Sequence, residues 1–109
     1  MSESRQPNVV IWTNRGCGAC TQAKQFLGRK GVAFNERRLR AEPSIQHAFA
    51  RATGGARTVP QIIIDDHRIG GFDDMLQLER TGELDVMLGR APALPTKTAF
   101  QRFVAWFRG

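Results

Sequence analysis

The order of hydrophobic and polar positions predicts alternating strands and helices in the first half of the chain. The run VVIWT, from Val9 to Thr13, is almost wholly apolar, which is typical of a buried strand. From Gly18 to about Arg29, apolar residues recur at spacings of three and four, so we expect a helix with one buried face. The inner face of this helix would consist of Ala19, Ala23, Phe26 and Leu27. Residues 32–39 alternate between apolar and polar side chains and predict a second strand.

The rest of the chain up to residue 88 predicts a second helix, two more strands and a third helix. Pro43 suits the first turn of the second helix, which the Gly54–Gly55 pair would end. Residues 58–65 predict a third strand, which is entered through a proline, and residues 67–71 predict a short fourth strand after a tight turn. Asp73 is expected to cap the third helix, which Gly82 interrupts.

The connections between these elements predict the topology of the sheet. The first two strands are joined by a helix, so they should be parallel, with a right-handed crossover. The tight turn between the third and fourth strands makes that pair antiparallel. The sequence therefore predicts an α/β fold with a four-stranded mixed sheet flanked by helices.

Length and composition add limits on the class of protein. A chain of 109 residues is long enough for one domain with its own core. It contains no run of about 18 or more apolar residues that could span a membrane. Residues 1–8 lack the apolar segment of a secretory signal, so we expect a cytoplasmic protein with mostly reduced thiols.

The two cysteines of the chain, Cys17 and Cys20, form a C-x-x-C motif directly after the first strand. A structural zinc site needs four ligands, and the chain has no second cysteine pair; His47 and His67 are not spaced as in a zinc finger. A structural disulfide is not expected in a reducing compartment. The motif at the start of a helix in a βαβ unit therefore indicates thiol redox chemistry, with two incidental buried cysteines as the alternative.

The position of Cys17 at the helix start suggests its role. Unpaired backbone N–H groups and the helix dipole favour a thiolate there, and Arg15 adds positive charge nearby. We therefore expect Cys17 to be the nucleophile. Cys20 lies one turn deeper in the helix, where it could reach the sulfur of Cys17 and act as the resolving thiol.

Three motifs in the same order resemble those of glutaredoxins, within the thioredoxin-fold superfamily. They are Cys17-Gly18-Ala19-Cys20, Thr58-Val59-Pro60-Gln61 and Gly70-Gly71-Phe72-Asp73-Asp74. Thioredoxins share the first motif and the proline but lack the third motif. The resemblance covers residues 9–88 and implies a dithiol glutaredoxin with a cis Val59–Pro60 bond and with Cys17 and Cys20 as catalytic residues.

The resemblance also implies glutathione as co-substrate. The residues expected to contact it are Arg15, Thr58, Val59, Pro60, Gly71, Phe72, Asp73 and Asp74. The backbone of Val59 would meet the cysteinyl part of glutathione. The start of the third helix would take the γ-glutamyl carboxylate, and an Asp side chain would take its ammonium group.

The chain departs from the family pattern at several positions near the cysteines. Gly18 and Ala19 stand where Pro and Tyr are usual, and Phe72 stands where Cys or Ser is common. Asn14 replaces a frequent lysine, so Arg15 or Arg57 would have to supply the charge that supports the thiolate. These differences concern the efficiency of the reaction and the preferred reductant.

The function expected from these features is glutathione-dependent reduction of glutathione mixed disulfides or protein disulfides. One alternative is a thioredoxin-like protein disulfide reductase that receives electrons from a flavoprotein reductase. Another is a [2Fe–2S] cluster carrier, in which Cys17 from two chains and two glutathiones would hold the cluster. The net charge of +6 could attract anionic glutathione. It comes with no recognised nucleic-acid-binding motif, so no nucleic-acid partner is expected.

Residues 91–109 extend beyond the glutaredoxin-like domain, which we assign to residues 1–90. Pro92 and Pro95 predict a semi-rigid linker, and Thr96 could cap a final helix. The apolar face of this helix would consist of Phe100, Phe103, Val104 and Phe107. We expect it to pack on its own domain or on a second copy, giving a monomer or weak dimer. Contact with a membrane surface or a partner protein is the alternative.

Overall fold

A four-stranded mixed sheet with helices on both faces forms the fold in the computed structural model, which describes residues 6–90. In chain order the elements are β1 (Val9–Thr13), α1 (Gly18–Arg29), β2 (Asn35–Arg38), α2 (Pro43–Thr53), β3 (Gln61–Ile64), β4 (His67–Gly70), α3 (Phe72–Thr81) and α4 (Glu83–Met87). The strand order is β2-β1-β3-β4, with β1 and β2 parallel and the other neighbouring pairs antiparallel. The α/β architecture predicted from the sequence is confirmed, and the helix predicted from Thr96 lies outside the described residues.

Two hydrophobic clusters, one on each face of the sheet, hold the central strand β1. Alternate side chains of a strand point to opposite faces, so β1 supplies Ile11 to one cluster and Trp12 to the other. Ile11 packs with residues of α1, α3 and α4, including Leu27. Trp12 meets Phe49 of α2 edge to face, with ring centroids 5.3 Å apart. Burial of each such side chain contributes about 1.5–3 kcal/mol to the free energy of folding. The end of β1 is therefore a rigid base for the loop that follows.

Several details of the sequence prediction were wrong, including the third strand, which was predicted over residues 58–65 but spans only Gln61–Ile64. Ala19 is exposed, and the buried face of α1 begins at Cys20 and continues through Ala23 and Leu27. β2 is shorter than predicted; it lies at the edge of the sheet, and all four of its residues are exposed. Asp73 does not cap α3, since the helix begins one residue before it.

Lys30, just after α1, forms ion pairs that connect α1 with α3 and α4. Its ammonium group lies 2.9 Å from carboxylate oxygens of both Glu79 and Asp85. These bonds, with Asp85 contributing most, raise the pKa of Lys30. Gly82, with φ of +85°, allows the sharp change of direction between α3 and α4. Among residues 6–90, no helix is both long and apolar enough to cross a bilayer.

Candidate active site

Cys17 is the residue that caps the N-terminus of α1. Its sulfur accepts a hydrogen bond from the backbone N–H of Cys20 at 3.1 Å. The two cysteines form a disulfide, with Cα atoms 5.2 Å apart. Cys17 is half-buried, whereas Cys20 is only 2% exposed. The structure therefore presents the oxidised form of a dithiol pair in which Cys17 is the more accessible sulfur.

The pairing of β1 with β3 brings the Val59–Pro60 loop beside Cys17. Trp12 pairs with Gln61 in this antiparallel ladder, so the residues before Gln61 lie next to those that follow Trp12. The Val59–Pro60 peptide bond is cis, as the resemblance implied. The carbonyl oxygen of Val59 lies 3.7 Å from the sulfur of Cys17. Two segments more than forty residues apart in the sequence thus meet at one point.

The start of α3 lies next to this loop because β4 pairs with β3. The carboxylate of Asp74 accepts a hydrogen bond from the backbone N–H of Gly71 at 2.9 Å and so caps the helix. Gly70 has φ of +109°, and any side chain there would collide with the Asp74 carboxylate. A Cβ on Gly71 would lie 3.7 Å from the Pro60 carbonyl oxygen, which shows how closely the two segments approach. Asp73, in the same first turn, is exposed.

These segments enclose a groove of about 340 Å³ beside the cysteines, which we call the Pro60 groove. Its lining residues are Ala19, Gln22, Thr58, Val59, Pro60, Gln61, Gly71, Phe72, Asp73 and Asp74. All of the residues predicted to contact glutathione line it, except Arg15. Phe72 packs against Phe26 of α1, with ring centroids 6.3 Å apart, and forms a fixed apolar wall.

The sequence analysis missed three residues of this groove. Ala19 and Gln22 lie three positions apart on α1, so they share the helix face that borders the groove. Their spacing of three was a usable signal, because both positions lie within the first two turns of the helix that Cys17 caps. Gln61 belonged to a motif already identified but was not assigned a contact.

A second groove of about 340 Å³ lies against the same cysteines, and we call it the Arg38 groove. Its lining residues are Thr13, Asn14, Arg15, Gly16, Cys17, Gly18, Cys20, Thr21, Lys24, Glu36 and Arg38. Arg15, predicted to contact glutathione, is therefore placed here and not in the Pro60 groove. The predicted parallel pairing of the first two strands was the available signal for Glu36 and Arg38, which β2 supplies.

Glu36 organises the polar side chains of the Arg38 groove. Its carboxylate accepts a hydrogen bond from the buried hydroxyl of Thr13 at 2.6 Å and one from Lys24 at 3.0 Å. The same carboxylate lies 3.9 Å from the guanidinium of Arg38. The Thr13 hydroxyl, followed by Lys24, lowers the pKa of Glu36, so this carboxylate is ionised at neutral pH.

Metal ligands are sparse in the part of the chain that the structure describes. Within residues 6–90, no three His, Cys, Asp or Glu side chains lie close enough together to hold a metal ion. A [2Fe–2S] cluster would have to use Cys17 of two chains and thiols from glutathione. Cluster binding stays a prediction, which the visible absorption of the purified protein would test.

Comparison with known proteins identifies relatives across most of the chain. The Glutaredoxin family model matches residues 9–69. A glutaredoxin of Pseudomonas aeruginosa is 46% identical over 82 residues, covering 75% of this chain and 96% of that protein. Glutaredoxin 3 of Escherichia coli is 40% identical over 81 residues, covering 74% of this chain and 96% of that protein.

Solved structures with the same fold include glutaredoxins from plants and bacteria. A buckwheat glutaredoxin–glutathione complex superposes with a TM-score of 0.65 at 32% identity, covering 75% of this chain and 76% of that chain. The solution structure of a Brucella melitensis glutaredoxin has a TM-score of 0.66 at 37% identity, covering 82% of this chain and 96% of that one.

Proposed function

The chain belongs to the glutaredoxin family of thiol–disulfide oxidoreductases, and we propose that it reduces glutathione mixed disulfides with glutathione as its co-substrate. The observation that carries this proposal is the Pro60 groove, which lies against the accessible sulfur of Cys17. The groove is built from the cis-proline loop and the start of α3. The glutathione complex of the buckwheat relative supports the choice of ligand.

The lining of the Pro60 groove offers partners for the cysteinyl part and for the γ-glutamyl end of glutathione. The backbone of Val59, beside the Cys17 sulfur, would hold the cysteinyl part in line for disulfide exchange. Free N–H groups at the start of α3 would take the γ-glutamyl carboxylate. Because Asp74 already accepts the Gly71 N–H, the exposed carboxylate of Asp73 is the better partner for the ammonium group.

The reaction proceeds by two exchange steps at Cys17. The Cys17 thiolate attacks the glutathione sulfur of a mixed disulfide, the original S–S bond breaks, and the protein thiolate leaves and takes a proton from water. The thiolate of a second glutathione then attacks the glutathione sulfur now bonded to Cys17. This step releases oxidised glutathione and restores the Cys17 thiolate.

Cys20 provides a second route for protein disulfides. After Cys17 has attacked such a disulfide, the Cys20 thiolate attacks the Cys17 sulfur and releases the reduced protein. The product is the Cys17–Cys20 disulfide present in the structure. Two glutathiones would then reduce it and leave as oxidised glutathione.

A coupled assay with the pure protein tests this proposal. One arm supplies glutathione, glutathione reductase and NADPH; the other supplies thioredoxin reductase and NADPH. We expect a glutathione mixed disulfide to be turned over in the first arm. Turnover that requires thioredoxin reductase would contradict the proposal and favour the thioredoxin-like alternative.

A further inference from the structure

We propose that the Arg38 groove binds acidic residues of the protein substrate that flank its target cysteine. This inference rests on the proposed function, since it needs glutathione in the Pro60 groove while the protein part of the mixed disulfide lies elsewhere. It predicts that Arg15 and Arg38 determine which protein substrates are reduced most efficiently.

The two grooves meet at Cys17. Cys17 itself lines the Arg38 groove, and its sulfur contacts the Val59 carbonyl of the Pro60 groove. During exchange the leaving sulfur of the substrate lies two S–S bonds from Cys17, within about 5 Å. One further residue of extended chain spans about 3.3 Å. Because Cys17 itself belongs to the lining of the Arg38 groove, we expect residues one or two positions from the target cysteine to lie within reach of that groove.

The charge of the Arg38 groove is positive. Three cationic side chains line it, those of Arg15, Lys24 and Arg38, against the single carboxylate of Glu36. The Glu36 carboxylate lies 3.0 Å from Lys24 and 3.9 Å from Arg38, and its single negative charge does not balance their two positive charges. Within the described residues, the Arg15 guanidinium makes no hydrogen bond or ion pair and is exposed. The Arg15 guanidinium is thus available to bind a carboxylate, and the Arg38 guanidinium, which lies 3.9 Å from Glu36 and beyond hydrogen-bond distance, can bind a second one.

The Pro60 groove has the opposite character. Asp73 and Asp74 line it, and its side chains from residues 6–90 include no Lys or Arg. The acidic side chains of a polypeptide would find no cationic side chain among these residues and would be attracted to the Arg38 groove. The contrast between the grooves would therefore orient an acidic substrate, with its protein part on the Arg38 side of Cys17.

Synthetic peptides glutathionylated on one cysteine provide the test. Three peptides differ only at the positions flanking that cysteine, which carry Glu, Gln or Lys. We expect the highest kcat/KM for the Glu peptide, with the advantage declining as salt concentration rises. Arg15→Gln and Arg38→Gln should each reduce the ratio of kcat/KM for the Glu peptide to that for the Gln peptide by about 2- to 5-fold.

Arg51→Gln is the matched control. Arg51 is exposed on α2 and lines neither groove, so the substitution removes the same charge away from the site. We expect it to leave the ratio unchanged. If it lowers the ratio as much as Arg38→Gln does, the preference comes from overall charge and the inference is overturned.

A small mixed disulfide of glutathione and 2-mercaptoethanol separates this inference from the proposed function. Failure to turn it over would contradict the proposed function itself. Normal turnover with equal rates for all three peptides would overturn only the inference. An equal loss for every substrate in the Arg15 and Arg38 variants would also overturn it, because the groove would then serve the second glutathione and not the protein.

Discussion

Replacing the two cysteines one at a time is the sharpest test of their roles. Cys17→Ser should abolish disulfide exchange, whereas Cys20→Ser should keep activity toward glutathione mixed disulfides. The reason is that the first step needs only the accessible sulfur of Cys17, and free glutathione can resolve the intermediate.

The structure predicts different costs in stability for the two variants. A serine hydroxyl at position 17 can accept the N–H of residue 20 as the sulfur does, and serine is a favourable N-cap. Cys17→Ser should therefore keep its fold while exchange is lost, since a serine oxygen cannot form the mixed disulfide through which exchange proceeds. Cys20 is 2% exposed, so a hydroxyl without a partner there costs about 1–3 kcal/mol.

The assay compares both variants with the wild type in the glutathione-coupled reaction, with thermal melts alongside. Cys20→Ser should stay within about tenfold of the wild-type rate on a small glutathione mixed disulfide. Cys20→Ala, which adds no hydroxyl, shows whether any loss in Cys20→Ser comes from stability. Equal loss of rate in folded Cys17→Ser and Cys20→Ala would refute the assignment of roles.

Three further predictions concern stability and binding. Hydrogen bonds hold the pKa of Glu36 below its ordinary value of 4.5, so its contribution to stability is present above that pH and lost as the pH falls through the lowered pKa. Urea denaturation at a series of acidic pH values should therefore show a steeper loss for the wild type than for Glu36→Gln, and equal slopes would contradict this. Asp74→Ala removes the acceptor of the Gly71 N–H and should cost about 0.5–2 kcal/mol in thermal melts. Asp73→Ala, its matched control, should keep the melting temperature but raise the KM for glutathione; the opposite pattern would reverse their roles. Deleting residues 92–109 should lower the melting temperature or change the oligomeric state on sizing while sparing the catalytic rate. A truncated protein unchanged in both properties would favour the alternative, in which this segment contacts a membrane surface or a partner protein.

Element boundaries were predictable where glycine or proline marks them. Pro43 and Gly54 delimit α2, and the left-handed Gly82 separates α3 from α4. The first strand and helix were also predicted with their observed bounds, because each has a strong apolar pattern of one period. The second strand was predicted to be too long, because the alternation of apolar and polar residues begins before β2, whereas only four residues pair with β1.

The capping of α3 shows a limit of local patterns. Two aspartates follow Gly71, and either could satisfy a free N–H at the helix start. The choice depends on where the backbone begins to turn, which the positive φ of Gly70 determines. With the helix beginning at Phe72, the Asp74 carboxylate reaches back to the Gly71 N–H, while Asp73, equally exposed, does not cap the helix. The two carboxylates therefore have different environments that the motif alone does not distinguish.

The division of charge between the grooves depends on tertiary structure in the same way. The sequence gives a net charge of +6, which by itself predicts only a general attraction for anions. Pairing of β2 with β1 places Arg38 and Glu36 on one side of Cys17, and pairing of β4 with β3 places Asp73 and Asp74 on the other. In the proposed mechanism exchange takes place at Cys17, between the two sets of charges, so a substrate would be selected by where its own charges lie relative to its disulfide. Total charge would matter less than that arrangement.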